Sequence, residues 1–336
     1  MLKVKKQMNK KIGVKILATG SYFPKKVLTN ADLEKIVDTS DEWISTRTGI
    51  KERHISENNE PTSELAYKAS LEAIKTAQIK NEDIDLIIVA TVTPDMLFPS
   101  TACFLQTKLG LNSAPAFDLS AACSGFIYAL ATAKAYIESG LYKTVLIAGS
   151  EELSKFTDWT DRNTCVLFGD AAGAMILTAS EENDDVLSVC LGADGSYSEL
   201  LNMPAGGTVN PATVETVKGK LHTIKMAGKE VFKVAVTKMG IAAEKALVLA
   251  GKKPEEITLY IPHQANMRII EAVAKKVGVT MDKVFVNIHK TGNTSSATTI
   301  TALDEAIKTG KLKKGDLVEL VAFGGGFTWG AAVIRI

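Results

Sequence analysis

Residues 117–126 read FDLSAACSGF, and this stretch decides the fold. The apolar run from Ala114 to Leu119 predicts a buried strand, and the apolar-periodic run from Phe126 to Ile137 predicts a helix. Cys123 therefore falls in a tight strand-to-helix turn, at or near the helix N-terminus. Free backbone N–H groups and the positive end of the helix dipole lie there, and both lower the pKa of a thiol.

Cys123 has two interpretations on this stretch alone. In the first it is a nucleophile, and its small neighbours leave room for a bulky group to reach the sulfur. In the second it is one more small buried residue, because free cysteines are often buried and inert. The rest of the chain has to decide between them.

The composition excludes several classes of protein. The chain has 336 residues, of which 46% are hydrophobic and 23% charged, enough for a large core and for two domains or one two-lobed body. A net charge of +1 gives no reason to expect a nucleic-acid partner. No apolar run approaches the ~18 residues that span a bilayer, so we expect no membrane partner either.

The cysteines and the N-terminus bear on the compartment. The four cysteines are scattered without a C-x-x-C pair, which argues against a metal site and against a disulfide scaffold. Residues 1–11 are basic but lack the apolar core of a secretory signal, and we expect a flexible extension there. A cytoplasmic protein with free thiols is the prediction.

Strand-like and helix-like patterns alternate along the chain, which predicts the α/β class. Two breaks, the charged residues 181–185 and the glycine-rich residues 205–219, are alternative boundaries between two halves. We take the first break, which gives an N-terminal half over residues 12–180 and a C-terminal half over residues 181–336.

Residues 41–54 interleave charged and aromatic side chains without helical or strand periodicity, and they predict a loop. Such a loop can hold a planar anionic ligand through Trp43 and Arg47 by stacking and charge. The alternative is an exposed, salt-bridged connector, which composition alone favours.

The sequence contains an internal repeat. Residues 71–91 align without gaps on residues 244–264, with Leu86 over Leu259, and a second unit starting at Phe117 continues on one starting at Val286. Each second unit predicts a strand, a small polar turn, a long helix and another strand. Coincidence between amphipathic segments is the alternative, but an ordered pair of matches argues against it. The repeat therefore predicts a pseudo-two-fold body with sheets packed between helices.

The repeat also pairs the turns that carry polar residues. The turn after the strand ending at Ala90 corresponds to the one that carries His263, and the Cys123 turn corresponds to Thr291–Ser295, which carries Asn293. Because ligands bind outside the carboxyl ends of the strands in open α/β sheets, we expect the three side chains to converge. Taken alone, Asn293 would be a turn or cap residue, and a histidine after a strand is more often structural. The chain has only four histidines, and amides and Arg268 follow His263, which favours a function for it.

A glycine-rich stretch, FGGGFTWG at residues 323–330, lies near the C-terminus. A predicted strand follows it, so it is not a nucleotide-binding G-x-G-x-x-G motif, which opens a helix. A glycine-rich strand edge beside a nucleophile can supply backbone N–H donors to an oxyanion.

Seven stretches together resemble β-ketoacyl-acyl-carrier-protein synthase III, a condensing-enzyme family with the thiolase fold. They are SDEWISTRTGIKER within residues 39–53, AACSGF at 121–126, FGDAAG at 168–173, ADGSYSEL at 193–200, PHQANMRI at 262–269, GNTS at 292–295 and FGGGFTWG at 323–330. The resemblance runs from about Val14 to the end of the chain. It is specific, because thiolases have a second cysteine, and elongating synthases a histidine, where this chain has Asn293.

The resemblance implies a thiolase-like α/β fold, in which two pseudo-symmetric halves form a layered α-β-α-β-α body. It implies decarboxylative Claisen condensation of an acyl-coenzyme A primer, expected to be acetyl-coenzyme A, with malonyl-acyl-carrier-protein. The products would be a 3-oxoacyl-acyl-carrier-protein, coenzyme A and CO₂, and this ping-pong reaction would initiate fatty acid synthesis. Coenzyme A thioester is then a substrate, so we expect no cofactor and no metal, and we expect a cytoplasmic homodimer.

The resemblance also assigns roles to catalytic residues. Cys123 would accept the acyl group, while His263 and Asn293 would hydrogen-bond the malonyl thioester carbonyl as decarboxylation creates an enolate. The N–H groups of Cys123 and Gly325 would form the oxyanion hole. On this basis acylation would need the thiolate and the backbone donors but not His263.

Further roles concern binding. The coenzyme A residues would be Trp43 and Arg162, which sandwich the adenine, Arg47 near the phosphates, and Asn266, which orients the site. Gln264 and Arg268 would contact the carrier protein. Phe323 would pack beside Cys123, and Phe98 would cross a dimer interface to close the partner's acyl pocket.

One residue departs from the family pattern, since Thr291 stands where many relatives have an aromatic residue or histidine. This leaves the local shape of the pocket open. The alternative enzyme is a relative that moves an acyl group in secondary metabolism or makes another ketide. Such a relative need not keep the carrier-protein surface, so Arg268 and the basic residues near it distinguish the two enzymes. The alternative outside enzymes is a non-catalytic acyl-binding partner, against which the intact Cys123, His263 and Asn293 argue.

Overall fold

The structure is a computed structural model that describes residues 12–57 and 59–336. Short apolar runs form its strands, as in LIIVA, all five residues of which are buried. The strands are β1 (Gly13–Tyr22), β2 (Lys26–Thr29), β3 (Glu52–Ile55), β4 (Leu86–Ala90), β5 (Ala116–Leu119), β6 (Thr144–Glu151), β7 (Ala171–Ser180), β8 (Val186–Ala193), β9 (Leu201–Asn202), β10 (Lys225–Met226), β11 (Leu259–Pro262), β12 (Leu317–Gly324) and β13 (Thr328–Arg335).

Longer segments with helical periodicity form the helices between these strands. The helices are α1 (Asn30–Leu33), α2 (Asp41–Thr48), α3 (Thr62–Ala77), α4 (Thr101–Lys108), α5 (Gly125–Glu138), α6 (Val214–Lys218), α7 (Gly228–Ala250), α8 (Met267–Val277), α9 (Ile288–Thr291) and α10 (Thr298–Lys308). The flexible extension expected over residues 1–11 lies outside the described residues.

Two mixed sheets carry the fold, and their strand orders correspond. The first sheet runs β1-β7-β6-β4-β5 and the second β8-β13-β12-β11. The pair β4–β6 in the first sheet and the pair β11–β12 in the second are parallel. The pairs β6–β7 and β7–β1 in the first sheet, and β12–β13 and β13–β8 in the second, are antiparallel. A parallel bridge between Tyr260 and Val284 extends the second sheet at the position that β5 holds in the first. The predicted pseudo-symmetry is therefore present in the sheets.

The layers follow from where the apolar side chains are buried. Helices α5 and α10 lie between the two sheets, and their buried residues, such as Leu130 and Leu303, share one core with both. Helices α3 and α4 cover the outer face of the first sheet, and α7 and α8 cover that of the second. The order is α-β-α-β-α, as the sequence predicts.

The repeat found in the sequence is also exact in register. Strand β4 begins at Leu86 and β11 at Leu259, the two residues that the alignment pairs. A 3₁₀ turn precedes each strand, at Asn81–Asp83 and Pro254–Glu256. The strands of the first sheet all come from residues before 181 and those of the second from residues after it. The division at 180/181 stays a prediction, because α5 and α10 share one core.

The predicted loop over residues 41–54 is wrong in part, since it contains helix α2 and strand β3. Ser40 caps the helix by accepting a hydrogen bond from the N–H of Trp43, and acidic residues occupy the first turn. Gly49, at φ 78°, ends it in the left-handed conformation. The local capping signals decide the structure here, although the apolar periodicity of the segment is weak.

Candidate active site

One cavity of about 990 Å³ opens at the carboxyl ends of the central strands. Cys123, His263, Asn293, Phe323 and Gly325 all line it. The structure thus brings together the three polar side chains that the repeat was expected to make converge. Cys123 follows β5, His263 follows β11 and Asn293 follows α9, so no short segment of sequence contains the site.

Close packing of backbone holds Cys123 in place. It is the middle residue of a 3₁₀ turn, Ala122–Ser124, that leads into α5, and Ala122 takes a positive φ of 45°. A Cβ atom at Gly324 would lie 2.4 Å from the Cys123 backbone nitrogen, so only glycine fits at the end of β12. The glycine-rich stretch therefore brings backbone directly against the nucleophile turn.

The thiol of Cys123 differs from the sequence prediction in its acidity. The pKa of Cys123 is raised to about 12, chiefly by burial; a hydrogen bond with Ser295 opposes this rise, and the charge of Glu151 contributes to it. The predicted lowering by the helix N-terminus is therefore wrong for the free protein. Desolvation of the thiolate is the largest contribution to this rise, so Cys123 is a thiol in the free protein.

His263 lies just after β11 and is almost wholly buried. Its backbone N–H donates to the Val321 carbonyl at 2.7 Å, which continues the sheet pairing past the strand end. Burial lowers the pKa of His263 to about 3, so the imidazole is neutral. Its Nδ1 lies 2.9 Å from Oγ1 of Thr298, the first residue of α10.

The side-chain amide of Asn293 has a fixed orientation. The Ser295 N–H donates to Asn293 Oδ1 at 2.9 Å, so that oxygen is the acceptor and Nδ2 carries the protons. Its backbone is held on both sides, because Asn293 N–H donates to the Leu167 carbonyl and Gly169 N–H donates to the Asn293 carbonyl. Asn293 is therefore placed to donate from Nδ2 into the cavity that it lines.

Glu151 is a site residue that the sequence reasoning missed. It is fully buried at the end of β6 and accepts hydrogen bonds from Thr93 Oγ1 at 2.7 Å and from Ser295 Oγ at 3.1 Å. The N–H of Val92 also donates to it at 3.1 Å. Burial raises the pKa of this carboxyl. The sequence signal that could have identified Glu151 is a charged residue at the end of an otherwise largely apolar strand.

Aromatic and cationic side chains lie together at the mouth of the cavity. Trp43 and Arg47 line it, with the Arg47 guanidinium 4.4 Å from the Trp43 ring centre. The Arg162 guanidinium lies 5.1 Å from the same ring and donates to the Asp38 carbonyl at 3.0 Å. A base stacked between Trp43 and Arg162 needs about 7 Å, two van der Waals spacings, so the predicted slot is closed in this structure.

The residues that follow His263 are of two kinds, those that line the cavity and one that is fully buried. Asn266 caps α8 by accepting from the Arg268 N–H, and both residues line the cavity, with Arg268 exposed. Gln264 is fully buried, where its amide donates to the Pro262 and Phe285 carbonyls and accepts from the Asn287 N–H. The prediction that Gln264 contacts a carrier protein is therefore wrong, because no surface of it is accessible.

Only one of the two predicted acyl-pocket residues lines the cavity. Phe323 lines the cavity, buried, with its ring 4.7 Å from that of Phe327. Phe98 is 84% exposed and does not line the cavity of the single chain. Thr291, the departure from the family pattern, is buried outside the cavity lining and donates to the Asn287 carbonyl.

Neither a metal centre nor a membrane span is found in the part of the chain that the structure describes. No group of three His, Cys, Asp or Glu side chains over residues 12–57 and 59–336 could hold a metal ion. No helix within those residues is long and apolar enough to cross a bilayer.

Known proteins are similar to this chain over nearly its whole length. The sequence models of 3-oxoacyl-[acyl-carrier-protein] synthase III match residues 117–195, and those of its C-terminal part match residues 247–336. The β-ketoacyl-[acyl-carrier-protein] synthase III of Caldanaerobacter subterraneus is 56% identical over 328 residues, 98% of this chain and 99% of that protein.

Solved structures agree. The crystal structure of 3-oxoacyl-[acyl-carrier-protein] synthase III from Aquifex aeolicus gives a TM-score of 0.89 at 53% identity, covering 96% of this chain and 100% of that one. The priming β-ketosynthase of the R1128 polyketide pathway gives 0.90 at 33% identity, covering 97% of each chain.

The fold and a cavity that holds a cysteine, a histidine and an asparagine define a condensing enzyme of the thiolase-like class. Within that class, the chain belongs to the β-ketoacyl-[acyl-carrier-protein] synthase III family.

Proposed function

We propose that the protein condenses a short acyl-coenzyme A, acetyl-coenzyme A in the first instance, with malonyl-acyl-carrier-protein. The acyl group passes through a thioester on Cys123 in a ping-pong reaction that releases coenzyme A and CO₂ and initiates fatty acid synthesis. The observation that carries this proposal is the meeting of Cys123, His263 and Asn293 in one cavity of a chain of this family. The chemistry needs no metal or cofactor.

In the first half-reaction, the Cys123 sulfur attacks the acyl carbon and the thioester oxygen gains negative charge. The backbone N–H groups of Cys123 and Gly325 form the oxyanion hole. The close approach of Gly324 to the Cys123 nitrogen supports this, because it brings the two segments of backbone to one point. Backbone donors fixed in a dry site stabilise such an oxyanion without reorganisation.

In the second half-reaction, decarboxylation of the malonyl group creates an enolate. The Nδ2 group of Asn293 and the ring of His263 hydrogen-bond its oxygen. The fixed orientation of the Asn293 amide supports this role, and so does the burial of both side chains. In a site from which water is excluded, such donors act on a developing charge far more strongly than in water.

The mouth of the cavity receives the carriers. Trp43, Arg47, Arg162 and Asn266 bind coenzyme A, and Arg162 moves outward to admit the adenine. Arg268, exposed beside the cavity, attracts the acidic carrier protein.

A homodimer completes the acyl pocket. Phe98 lies in an exposed apolar loop with Met96 and Leu97, and β5 is an edge strand of the first sheet. Exposed apolar patches and free strand edges mark association surfaces. In the dimer, Phe98 from one chain closes the pocket beside Phe323 of the other, in the cytoplasm.

Mass spectrometry of the protein after exposure to a panel of acyl-coenzymes A tests this function. We expect one acyl group per chain, on Cys123, with short primers preferred, and CO₂ release only when malonyl-acyl-carrier-protein follows. Cys123→Ser serves as the control for adventitious acylation of the other thiols. An unmodified Cys123 with every primer would refute the proposal.

A second candidate function is supported by the likeness to the R1128 priming β-ketosynthase. A priming enzyme of that kind would accept the same acyl groups at Cys123 but deliver them to a different carrier protein. Comparison of the rates with carrier proteins of the two kinds distinguishes the two functions.

A further inference from the structure

The acylation proposed above requires a proton acceptor close to Cys123. Burial raises the pKa of this thiol to about 12, so few molecules carry the thiolate at neutral pH. His263 lines the same cavity as a neutral imidazole. A neutral imidazole carries its proton on one nitrogen and a lone pair on the other, and only the nitrogen with the lone pair can accept the thiol proton.

Thr298 decides which nitrogen of His263 is protonated. Its hydroxyl donates to the Ser295 carbonyl oxygen, which can only accept. The hydroxyl has a single proton, so towards His263 Nδ1, at 2.9 Å, Thr298 can only accept. The ring proton therefore lies on Nδ1, and Nε2 keeps its lone pair.

The same contacts orient the ring. Thr298 is buried and is not among the residues that line the cavity, whereas His263 is. The Nδ1 edge of the ring is thus turned to the start of α10, and the Nε2 edge is left for the cavity. The hydrogen bond to the other ring nitrogen is the usual means by which proteins fix a histidine tautomer.

We propose that Thr298 is a positioning residue that fixes His263 in the Nδ1–H tautomer, so that Nε2 alone gains and loses a proton in both half-reactions. The inference rests on the proposed function for its chemistry, although the tautomer itself can be measured without any substrate.

The proton balance follows from this assignment. In acylation the Cys123 S–H bond breaks as the sulfur bonds to the acyl carbon, and the proton passes to His263 Nε2. It then passes to the sulfur of coenzyme A as the old C–S bond breaks. The imidazole returns to its neutral Nδ1–H form.

In condensation, His263 Nε2 takes up one proton from solvent as the malonyl carboxylate binds. The Nε2–H group then donates a hydrogen bond to the thioester oxygen and keeps its proton. The carboxylate leaves as CO₂, and the enolate carbon attacks the acyl group. The bond between the acyl carbon and Cys123 then breaks, and the thiolate takes the proton from Nε2. One proton is consumed overall, as the loss of one carboxylate charge requires.

A nitrogen NMR spectrum of the histidine-labelled free protein tests the tautomer directly, because the chain has only four histidines. Comparison with the His263→Ala spectrum identifies the signals of His263. We expect couplings that place its proton on Nδ1. A signal with the proton on Nε2 would overturn the proposal even if the protein proved to be an active condensing enzyme.

Matched variants test the role of the hydroxyl. Thr298→Val keeps the shape but removes the acceptor, and we expect its His263 to move to the Nε2–H tautomer. Acylation should slow on the order of 10²-fold, the low end of what a positioned general base contributes. Thr298→Ser should restore both the spectrum and the rate.

The control is Thr301→Val, which removes another buried hydroxyl from α10. Thr301 donates to the Ala297 carbonyl at 2.9 Å and has no hydrogen bond with His263 among those described. We expect the spectrum and the acylation rate of this variant to stay unchanged. Unchanged acylation and an unchanged tautomer in Thr298→Val would overturn the proposal, and so would equal losses in Thr298→Val and Thr301→Val. If unaltered Cys123 took up no acyl group, the proposed function would fail, but the spectrum would still report the tautomer.

Discussion

Two turns of the molecule have one backbone conformation and different chemistry. The turn Ala122–Ser124 leads into α5, and the turn Ser295–Ala297 leads into α10. Each is a single 3₁₀ turn whose first residue has a positive φ, 45° in Ala122 and 48° in Ser295. Since Cys123 and Ser296 are the middle residues of these turns, the counterpart of Cys123 is Ser296, which refines the sequence-based pairing of the Cys123 turn with residues 291–295.

The two side chains at the equivalent position have different surroundings. Cys123 lines the cavity, whereas Ser296 is fully buried and donates to the Ala90 carbonyl at 2.9 Å. The two turns therefore have the same backbone conformation, but only the first presents a reactive side chain to the cavity. The second turn instead serves the site through Ser295, which orients Asn293.

The largest expected effect is at the member of the pair that lines the cavity, Cys123. Cys123→Ser should lower acylation by on the order of 10⁴ or more, as loss of a nucleophile does in other covalent catalysts, with little change in stability. Intact-mass measurement after incubation with acetyl-coenzyme A gives the result. Normal acylation of the variant would show that another residue is the nucleophile.

Asn293, two residues before the second turn, should separate the half-reactions. Asn293→Ala should spare acylation but slow CO₂ release by about 10²- to 10³-fold, the usual cost of one donor to an oxyanion. The assays are acyl transfer to protein and CO₂ release from malonyl-acyl-carrier-protein. Equal losses in both would contradict the assigned role of Asn293.

His263→Ala should slow both half-reactions, unlike Asn293→Ala. Acylation should fall by about 10²- to 10⁴-fold, because Cys123 then lacks its base. This differs from the expectation based on resemblance, in which acylation did not need His263, and the raised pKa of Cys123 is the reason. Acylation of the variant at the unaltered rate would show that acylation does not need His263, as the resemblance implies.

At the rim of the cavity, Arg268→Glu should reduce the rate with malonyl-acyl-carrier-protein about tenfold at low salt while leaving acylation by acetyl-coenzyme A intact. A reversed charge slows the encounter with an acidic partner, and salt diminishes the difference. Lys80→Glu, an exposed residue just before the 3₁₀ turn that precedes β4, is the control. A loss that is independent of salt would count against charge attraction.

The smallest effect on activity, and a clear one on stability, is expected at the buried member of the pair. Ser296→Ala removes the buried hydroxyl that donates to the Ala90 carbonyl and should cost about 1 to 3 kcal/mol of unfolding free energy. Urea unfolding measures this cost, with Cys123→Ala as the comparison. If Cys123→Ala destabilised the protein more than Ser296→Ala, the division into a chemical and a structural turn would be wrong.

Much of the fold was accessible from the sequence because it is repeated there. The pairing of Leu86 with Leu259 places both β4 and β11, and the small residues around Cys123 place the nucleophile turn. Convergence of His263 and Asn293 with Cys123 followed from the rule for strand ends. These inferences depend on patterns of residue type, which a sequence displays directly.

What the sequence could not provide depends on burial and on hydrogen-bond direction. The acidity of Cys123 is set by its desolvation, the inaccessibility of Gln264 by packing, and the role of Thr298 by a contact across the fold. Helix α2 was missed because its capping residues, Ser40 and Gly49, determine it more than its periodicity does.

The cluster at Trp43 bears on the affinity of the coenzyme A site proposed above. In the free protein the guanidinium of Arg162 is already within 5.1 Å of the indole ring centre. An adenine that stacks there must displace an intramolecular competitor tethered at high effective concentration. The net gain from stacking is then the difference between two contacts on one ring. If coenzyme A binds here as proposed, this competition lowers its affinity before and after acyl transfer alike, and so speeds its release.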